Sequence, residues 1–267
     1  MSRFDHLEMG NWHAAVPDEE PADAGLIDQH YYIEKATQAF ADESYERALA
    51  YYSRALQYDA NMEEAWLGQL RCLLEFQELQ EAIIWSDRAL ERFPKSGSIL
   101  AARAVAEARL GHSVAAMGYS DAAFKEAKES TPYMWVARGE VLVTVNIKNA
   151  KACFMKAVEL APQDWTVRAW IARSYLTHRC HHQALEHLRN AVKLDPDRVI
   201  CWYWIGKCCE MLGEIEEAQR AYARAMSIQP SFSRARDALL QIRRRGIVSK
   251  VIDAFKRVFV RRQVSEG

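Results

Sequence analysis

Alanine stands at positions 48, 82, 116, 150, 184 and 218, each 34 residues after the last. A second ladder of Ala55, Ala89, Ala123, Ala157, Ala191 and Ala225 follows seven residues behind it. Seven residues is about two helical turns, so each pair of alanines lies on one face of one helix, where a methyl side chain lets a neighbouring helix approach closely. A proline closes four of the six units, at Pro94, Pro162, Pro196 and Pro230, where it stops the helix and turns the chain into the next one. Ala60 and Lys128 replace it elsewhere. The first half of a unit supplies a large side chain near its start, as in Tyr32, Trp66, Leu100, Trp135 and Trp202. A small one often follows four residues later, as in Ala36, Ala104, Gly139 and Gly206. Each unit therefore reads as a pair of antiparallel helices.

On these residues the chain resembles the tetratricopeptide repeat family, whose helix-turn-helix unit carries an aromatic, a Leu-Gly, a Tyr, two alanines, an aromatic and a proline in that order. The last unit matches it most fully, with Trp202, Ile205, Gly206, Leu212, Gly213, Ile215, Ala218, Tyr222, Ala225 and Pro230 on the motif's positions. The resemblance implies an all-α fold, an α-solenoid wound as a right-handed superhelix of about six repeats. The repeats span 29–232 and start near 29, 63, 97, 131, 165 and 199. In the fourth, Trp135 and Gly139 come one residue late while Ala150, Phe154, Ala157 and Pro162 are on time. That predicts a first helix or inter-helix turn one residue shorter, and the least regular stretch near 125–135.

Charge divides the rest. The chain has 35 basic and 36 acidic side chains, a net charge of -1 that gives no global attraction to nucleic acid or to an acidic membrane. The segment 1–28 holds Asp5, Glu8, Asp18, Glu19, Glu20, Asp23 and Asp28 against Arg3, and reads as an acidic, poorly ordered N-terminal segment. It has no apolar run of the kind a secretory signal needs, and no stretch of the chain is apolar for long enough to span a bilayer, so a cytoplasmic protein is expected. After the repeats, 233–245 reads as a capping helix. Residues 247–267 form a basic amphipathic helix and tail, with Val251, Ile252, Phe255 and Phe259 on one face and Lys250, Lys256, Arg257 and Arg261 on the other. The edge of the last repeat, a partner or an anionic membrane could each cover that apolar face.

Chemistry has few candidates. No Gly-rich phosphate loop, Gly-x-Ser-x-Gly elbow or His-Glu-x-x-His occurs, so the chain is expected not to be an enzyme and to need no cofactor. The stretch CWYWIGKCCEMLG, 201–213, reads as packing, with Cys201, Cys208 and Cys209 reduced and mostly buried. His178, Cys180, His181, His182 and His187 crowd one turn without the spacing of a zinc site, and no metal is expected.

What remains is a binding scaffold for a protein or peptide partner, held in the concave groove. By resemblance, the second, fifth and ninth positions of each repeat line that groove. They are Ile33, Thr37, Glu64, Leu67, Arg71, Ala101, Val105, Tyr133, Val136, Glu140, Ala169, Arg173, Tyr203 and Lys207. Arg173 and Tyr203 are expected to serve binding without serving the packing. The Lys and Asn set by which one family subtype grips a chaperone's C-terminal carboxylate is absent at these positions. The alternative function is a membrane-surface adaptor targeted by the basic C-terminal helix.

Overall fold

The structure, a computed structural model, describes residues 28–244. The expected segments at 1–28 and 247–267, with Lys250, Lys256, Arg257 and Arg261, therefore lie outside the described residues apart from Asp28. Among the described residues there are twelve complete helices, a further helical run at 233–244, and no strand. They fall into two compact units divided between His178 and Arg179. Unit 1 holds α1 (Gln29–Ala41), α2 (Tyr45–Tyr58), α3 (Glu63–Glu75), α4 (Leu79–Arg92), α5 (Gly97–Arg109), α6 (Ser113–Glu126), α7 (Pro132–Val143), α8 (Ile147–Leu160) and α9 (Trp165–Thr177). Unit 2 holds α10 (His181–Leu194), α11 (Val199–Leu212), α12 (Ile215–Ile228) and the run at 233–244.

The 34-residue step governs where helices begin. Every even-numbered helix, the second of its repeat, starts on the step, at 45, 79, 113, 147, 181 and 215, and is 14 residues long. Every one of the twelve ladder alanines is buried, none more than 2% exposed, which is the close helix approach that their spacing requires. In unit 2, Ala235, Ala238, Leu239 and Ile242 of the run at 233–244 are buried as well.

The turn between the two helices of a repeat also keeps the step. Glu43, Gln77, Gly111, Arg179 and Gly213 all have φ between 54° and 86°. This is the left-handed residue that ends a helix in the Schellman motif. The next residue's amide closes the motif in four of these turns: Ser44 N–H donates to Ala39 O, Glu78 to Leu73, His112 to Glu107 and Glu214 to Cys209. The fourth repeat lacks it. Its residue on the step is Val145, and a β-branched side chain is costly at positive φ. There the amides of Val145 and Asn146 both donate to Leu142 O, within a tighter turn.

The start of α7 completes the account. Pro132 occupies the first helical turn, behind Thr131, whose hydroxyl caps Met134 N–H, so the helix begins one residue late and has 12 residues rather than 13. Helix α7 thus enters late and leaves by a turn without the left-handed residue, and the chain regains its step at α8. The lost helical residue reappears in the connection from α6 to α7, which falls within 125–135.

The aromatic near the start of a repeat has a polar task. The Trp66 indole N–H donates to Ala60 O at 3.0 Å, and that of Trp202 to Pro196 O at 2.7 Å, each six residues back in the loop between repeats. Late-placed Trp135 reaches Ser130 Oγ at 3.1 Å instead. A buried or half-buried indole needs such an acceptor, and here the bond also fixes the loop.

Candidate functional site

In unit 1 the first helices of the repeats, α1, α3, α5, α7 and α9, pack on one another in order. The face they share is filled by its own side chains. The Arg71 guanidinium of α3 stacks 4.2 Å from the Trp170 ring centroid, 4.4 Å from Phe40 and 4.9 Å from Tyr133. These rings come from α9, α1 and α7, so one cation joins four helices. Beside it Arg173 Nε of α9 lies 2.6 Å from Glu75 Oε2 of α3, with its NH1 4.0 Å from Glu43 Oε1. Arg109 of α5 donates to Glu140 Oε1 of α7 at 2.7 Å and to Leu74 O at 2.6 Å, with Glu75 3.7 Å away.

Burial alone would weaken the charge on both arginines. The carboxylates outweigh it, Glu75 for Arg173 and Glu140 for Arg109, and hold both cations more firmly protonated than usual. Tyr133, half-buried among them, has its phenol pushed up to about 12 by desolvation, against the opposing pull of Arg71.

This arrangement redistributes the expected groove residues. Ile33, Ala101, Val105, Val136 and Glu140 are buried in unit 1, and Leu67 and Ala169 are half-buried. Of the unit 1 set, Thr37 and Glu64 are exposed. Arg71, Tyr133, Glu140 and Arg173 belong to the cluster just described. The expectation that Arg173 stands apart from packing is therefore corrected: its ion pair ties α9 to α3. Sequence reasoning missed Phe40, Glu43, Glu75, Arg109 and Trp170, all of which the cluster uses.

Unit 2 presents a more open strip. Tyr203 of α11 is half-buried, with Trp204 at 5.3 Å, Phe232 at 5.7 Å and Tyr222 at 5.9 Å between ring centroids. The Arg234 guanidinium lies 5.2 Å over Tyr203 and 4.9 Å over Phe232. One turn along from Tyr203, Lys207 Nζ is 3.4 Å from Glu210 Oε2, and that carboxylate also accepts from Tyr222 OH at 3.1 Å. Met211, 62% exposed, stands at the end of the same helix. The expected residues Tyr203 and Lys207 thus fall together, joined by Trp204, Phe232 and Arg234, which were not foreseen. Trp170 and Trp204 stand one 34-residue step apart, a signal the sequence does carry.

All six cysteines lie among the described residues and none is in a disulfide. Five are buried and Cys180 is half-exposed. Burial, with Cys209 adjacent, pushes the Cys208 thiol up to about 12; burial, with Glu214 beside it, pushes Cys209 up to about 11. Thiolate is the reactive form, so these side chains fill space. A disulfide reagent at pH 8 is expected to modify one thiol promptly in the folded chain, Cys180, and all six after unfolding. A second fast thiol would contradict the burial. Among the described residues no group of three or more His, Cys, Asp or Glu side chains is placed to hold a metal ion, the His178 to His187 stretch included.

Comparison with known proteins agrees with the repeat. The model of the tetratricopeptide repeat family matches residues 33–97, and that of the anaphase-promoting complex, cyclosome, subunit 3 matches residues 144–225. A peroxisomal targeting signal receptor of Candida albicans is 25% identical over 207 residues, which is 72% of this chain but 33% of the receptor. The chain spans about a third of the length of that curated relative. A solved tetratricopeptide repeat protein of Parabacteroides merdae aligns with a TM-score of 0.50 at 16% identity, over 90% of this chain and 95% of its own, a likeness of fold. A second, from Thermus thermophilus, aligns with a TM-score of 0.48 at 16% identity, over 80% and 98%. With the step, the left-handed turns and the buried alanines all accounted for by one repeating unit, the chain belongs to the tetratricopeptide repeat family.

Proposed function

We propose that this chain is a non-enzymatic scaffold that holds a segment of another protein against the first-helix face of its repeats, with the strip of unit 2 as the principal contact. Tetratricopeptide repeats are in general protein–protein interaction modules. The Candida relative, by name a receptor for a targeting signal, supports a reading in which the ligand is a segment of a protein. The observation that carries the proposal is the partly exposed aromatic centre of unit 2, set beside cations that, like those of unit 1, lie against rings and a carboxylate. In unit 1 the cations of the first helices are consumed by rings and carboxylates of the same face. In unit 2 Tyr203, Trp204, Lys207 and Arg234 are all partly exposed around one aromatic centre.

Aromatic planes next to Arg and Lys suit an extended segment with an apolar anchor and flanking carboxylates. Panning a random peptide library against the full chain is the test. Enriched peptides are expected to combine Asp or Glu with an aromatic or aliphatic residue. Tyr203→Ala with Lys207→Glu should weaken their binding about 10-fold or more, whereas Arg220→Glu, on the exposed side of α12, should leave it unchanged. Equal binding by the Tyr203 and Lys207 variant would remove the strip as the site.

A further inference from the structure

Within unit 1, Arg71 differs from the other arginines of the first helices. Arg103 meets Asp87 at 2.9 Å, Arg109 meets Glu140 at 2.7 Å, Arg138 meets Asp121 at 2.7 Å and Arg173 meets Glu75 at 2.6 Å. The contacts of Arg71 are the rings of Trp170, Phe40 and Tyr133, and among the described residues it makes no ion pair and no hydrogen bond. Rings hold a guanidinium by its faces, whereas its five N–H donors lie in its plane and are left for another ligand. The cause is one turn along α3. Glu75, four residues on, is the carboxylate that a helix would set against Arg71, but it is engaged by Arg173 Nε at 2.6 Å and lies 3.7 Å from Arg109. Arg71, Phe40, Tyr133 and Trp170 are each half-buried, so the cation is fixed by packing and still reaches solvent. Leu67, one turn before it, is half-buried too and packs, like Phe40 and Tyr133, against the hydrophobic core.

We propose that Arg71 is the receptor for a carboxylate carried by a protein segment, with an apolar residue of that segment seated beside it on Leu67 and the rings. Charge selects a carboxylate over a phosphate. Arg71, Arg109 and Arg173 are matched in number by Glu43, Glu75 and Glu140, so the surroundings hold no spare positive charge for a dianion. A carboxylate brings one charge and two coplanar oxygens, which the edge of the guanidinium binds as a bidentate pair. The proposal rests on the reading of the chain as a holder of protein segments, but the site lies wholly within unit 1 and does not depend on the strip of unit 2.

Nuclear magnetic resonance of the full chain, with isotope-labelled arginine, tests the proposal. The Nε–H signal of Arg71, assigned by its loss in Arg71→Lys, is followed in the wild-type protein against acetyl-Leu-Gly-Leu with a free C-terminus, the same peptide amidated, and acetyl-Leu-Asp-Leu amide. At least one of the two acids is expected to shift that signal saturably, with a Kd below about 10 mM. Which acid binds more tightly tells a chain terminus from a side chain. At equal concentration the uncharged amide should shift it at least about fivefold less than the better acid, and so should inorganic phosphate at matched ionic strength. The variant Tyr203→Ala with Lys207→Glu should give the same titration, so that failure of this site is read separately from failure of the strip. Equal shifts from the acids and the amide, a stronger response to phosphate, no saturable shift, or loss of the response in the unit 2 variant would overturn the proposal.

Discussion

Replacing Arg173 with glutamate is expected to destabilise the chain by about 3–5 kcal/mol, the range found when one partner of a buried ion pair is removed and the other is left without compensation. Glu75 is 10% exposed and Glu43 11%, so neither can recover its hydration by turning to water. The new carboxylate would face both of them across a site into which Tyr45, a phenol made harder to ionise by burial and by Glu75, also packs. Arg109 already serves Glu140 at 2.7 Å and lies 3.7 Å from Glu75, too far to replace the lost 2.6 Å contact without giving up its own. Arg173→Lys keeps the charge but not the fork, and a smaller loss is expected. Urea unfolding of the three proteins gives the order wild type, Lys, Glu. Because the pair is largely buried, 0.5 M salt should change the wild-type value little, unlike a surface pair. If Arg173→Glu unfolds at the wild-type midpoint, the pair does not hold α9 to α3. This expectation also bears on function: a variant combining Arg173→Glu with Tyr203→Ala would confound lost binding with lost structure, so only Tyr203 and Lys207 can report on a groove.

The role of Arg173 is not legible along the chain, for a physical reason. The alanine ladder is legible because each step repeats one local contact, helix against helix, at a separation that the helix period sets. The left-handed residues at 43, 77, 111, 179 and 213 keep the same step, although only two of them are glycine, because the turn geometry belongs to the repeat and not to one residue's preference. The exception at Val145 is local, a β-branched residue where the turn asks for positive φ, while the late Trp135 and Gly139 mark the start of α7 delayed behind Pro132. The ion pair of Arg173 and Glu75 joins residues 98 apart and depends on how five first helices pack on one another. A repeat position tells which way a side chain leaves its helix. It does not tell whether the space beyond is solvent or another helix, which is why Ala101, Val105 and Val136 keep their place on the first-helix face and are buried there. Unit 2 was easier to read at Tyr203 and Lys207, since both lie on one helix four residues apart. Phe232 and Arg234 come from the connection and helical run beyond α12, after the last of the six repeats, although that run begins one 34-residue step after α11.

The tightest test of the repeat geometry lies at Gly139. A Cβ built there would come closer than 3.0 Å to the Cε1, Cδ1 and Cζ atoms of Phe154, and one at Gly206 would meet Tyr222 in the same way. In both repeats the small residue of the first helix faces the aromatic of the second, and both partners are buried. Gly139→Leu is expected to cost about 3 kcal/mol, the upper end for overpacking a filled core, even though leaving glycine at a helical position recovers about 0.5–1 kcal/mol. Phe154 cannot yield easily, because its ring is held edge to face against Tyr175 at 4.9 Å. The fold therefore predicts a reversal of sign. Gly139→Ala should destabilise the wild-type protein, yet become neutral or stabilising in a Phe154→Leu background, where the ring is gone and the helical gain remains. Gly118→Ala, on an exposed helical position with nothing within 4 Å of its new methyl, should stabilise either background by about 0.5–1 kcal/mol. Thermal melts of the four proteins in the cycle give the coupling between positions 139 and 154 directly. Coupling near zero would mean that the small and large residues of a repeat do not fit one another.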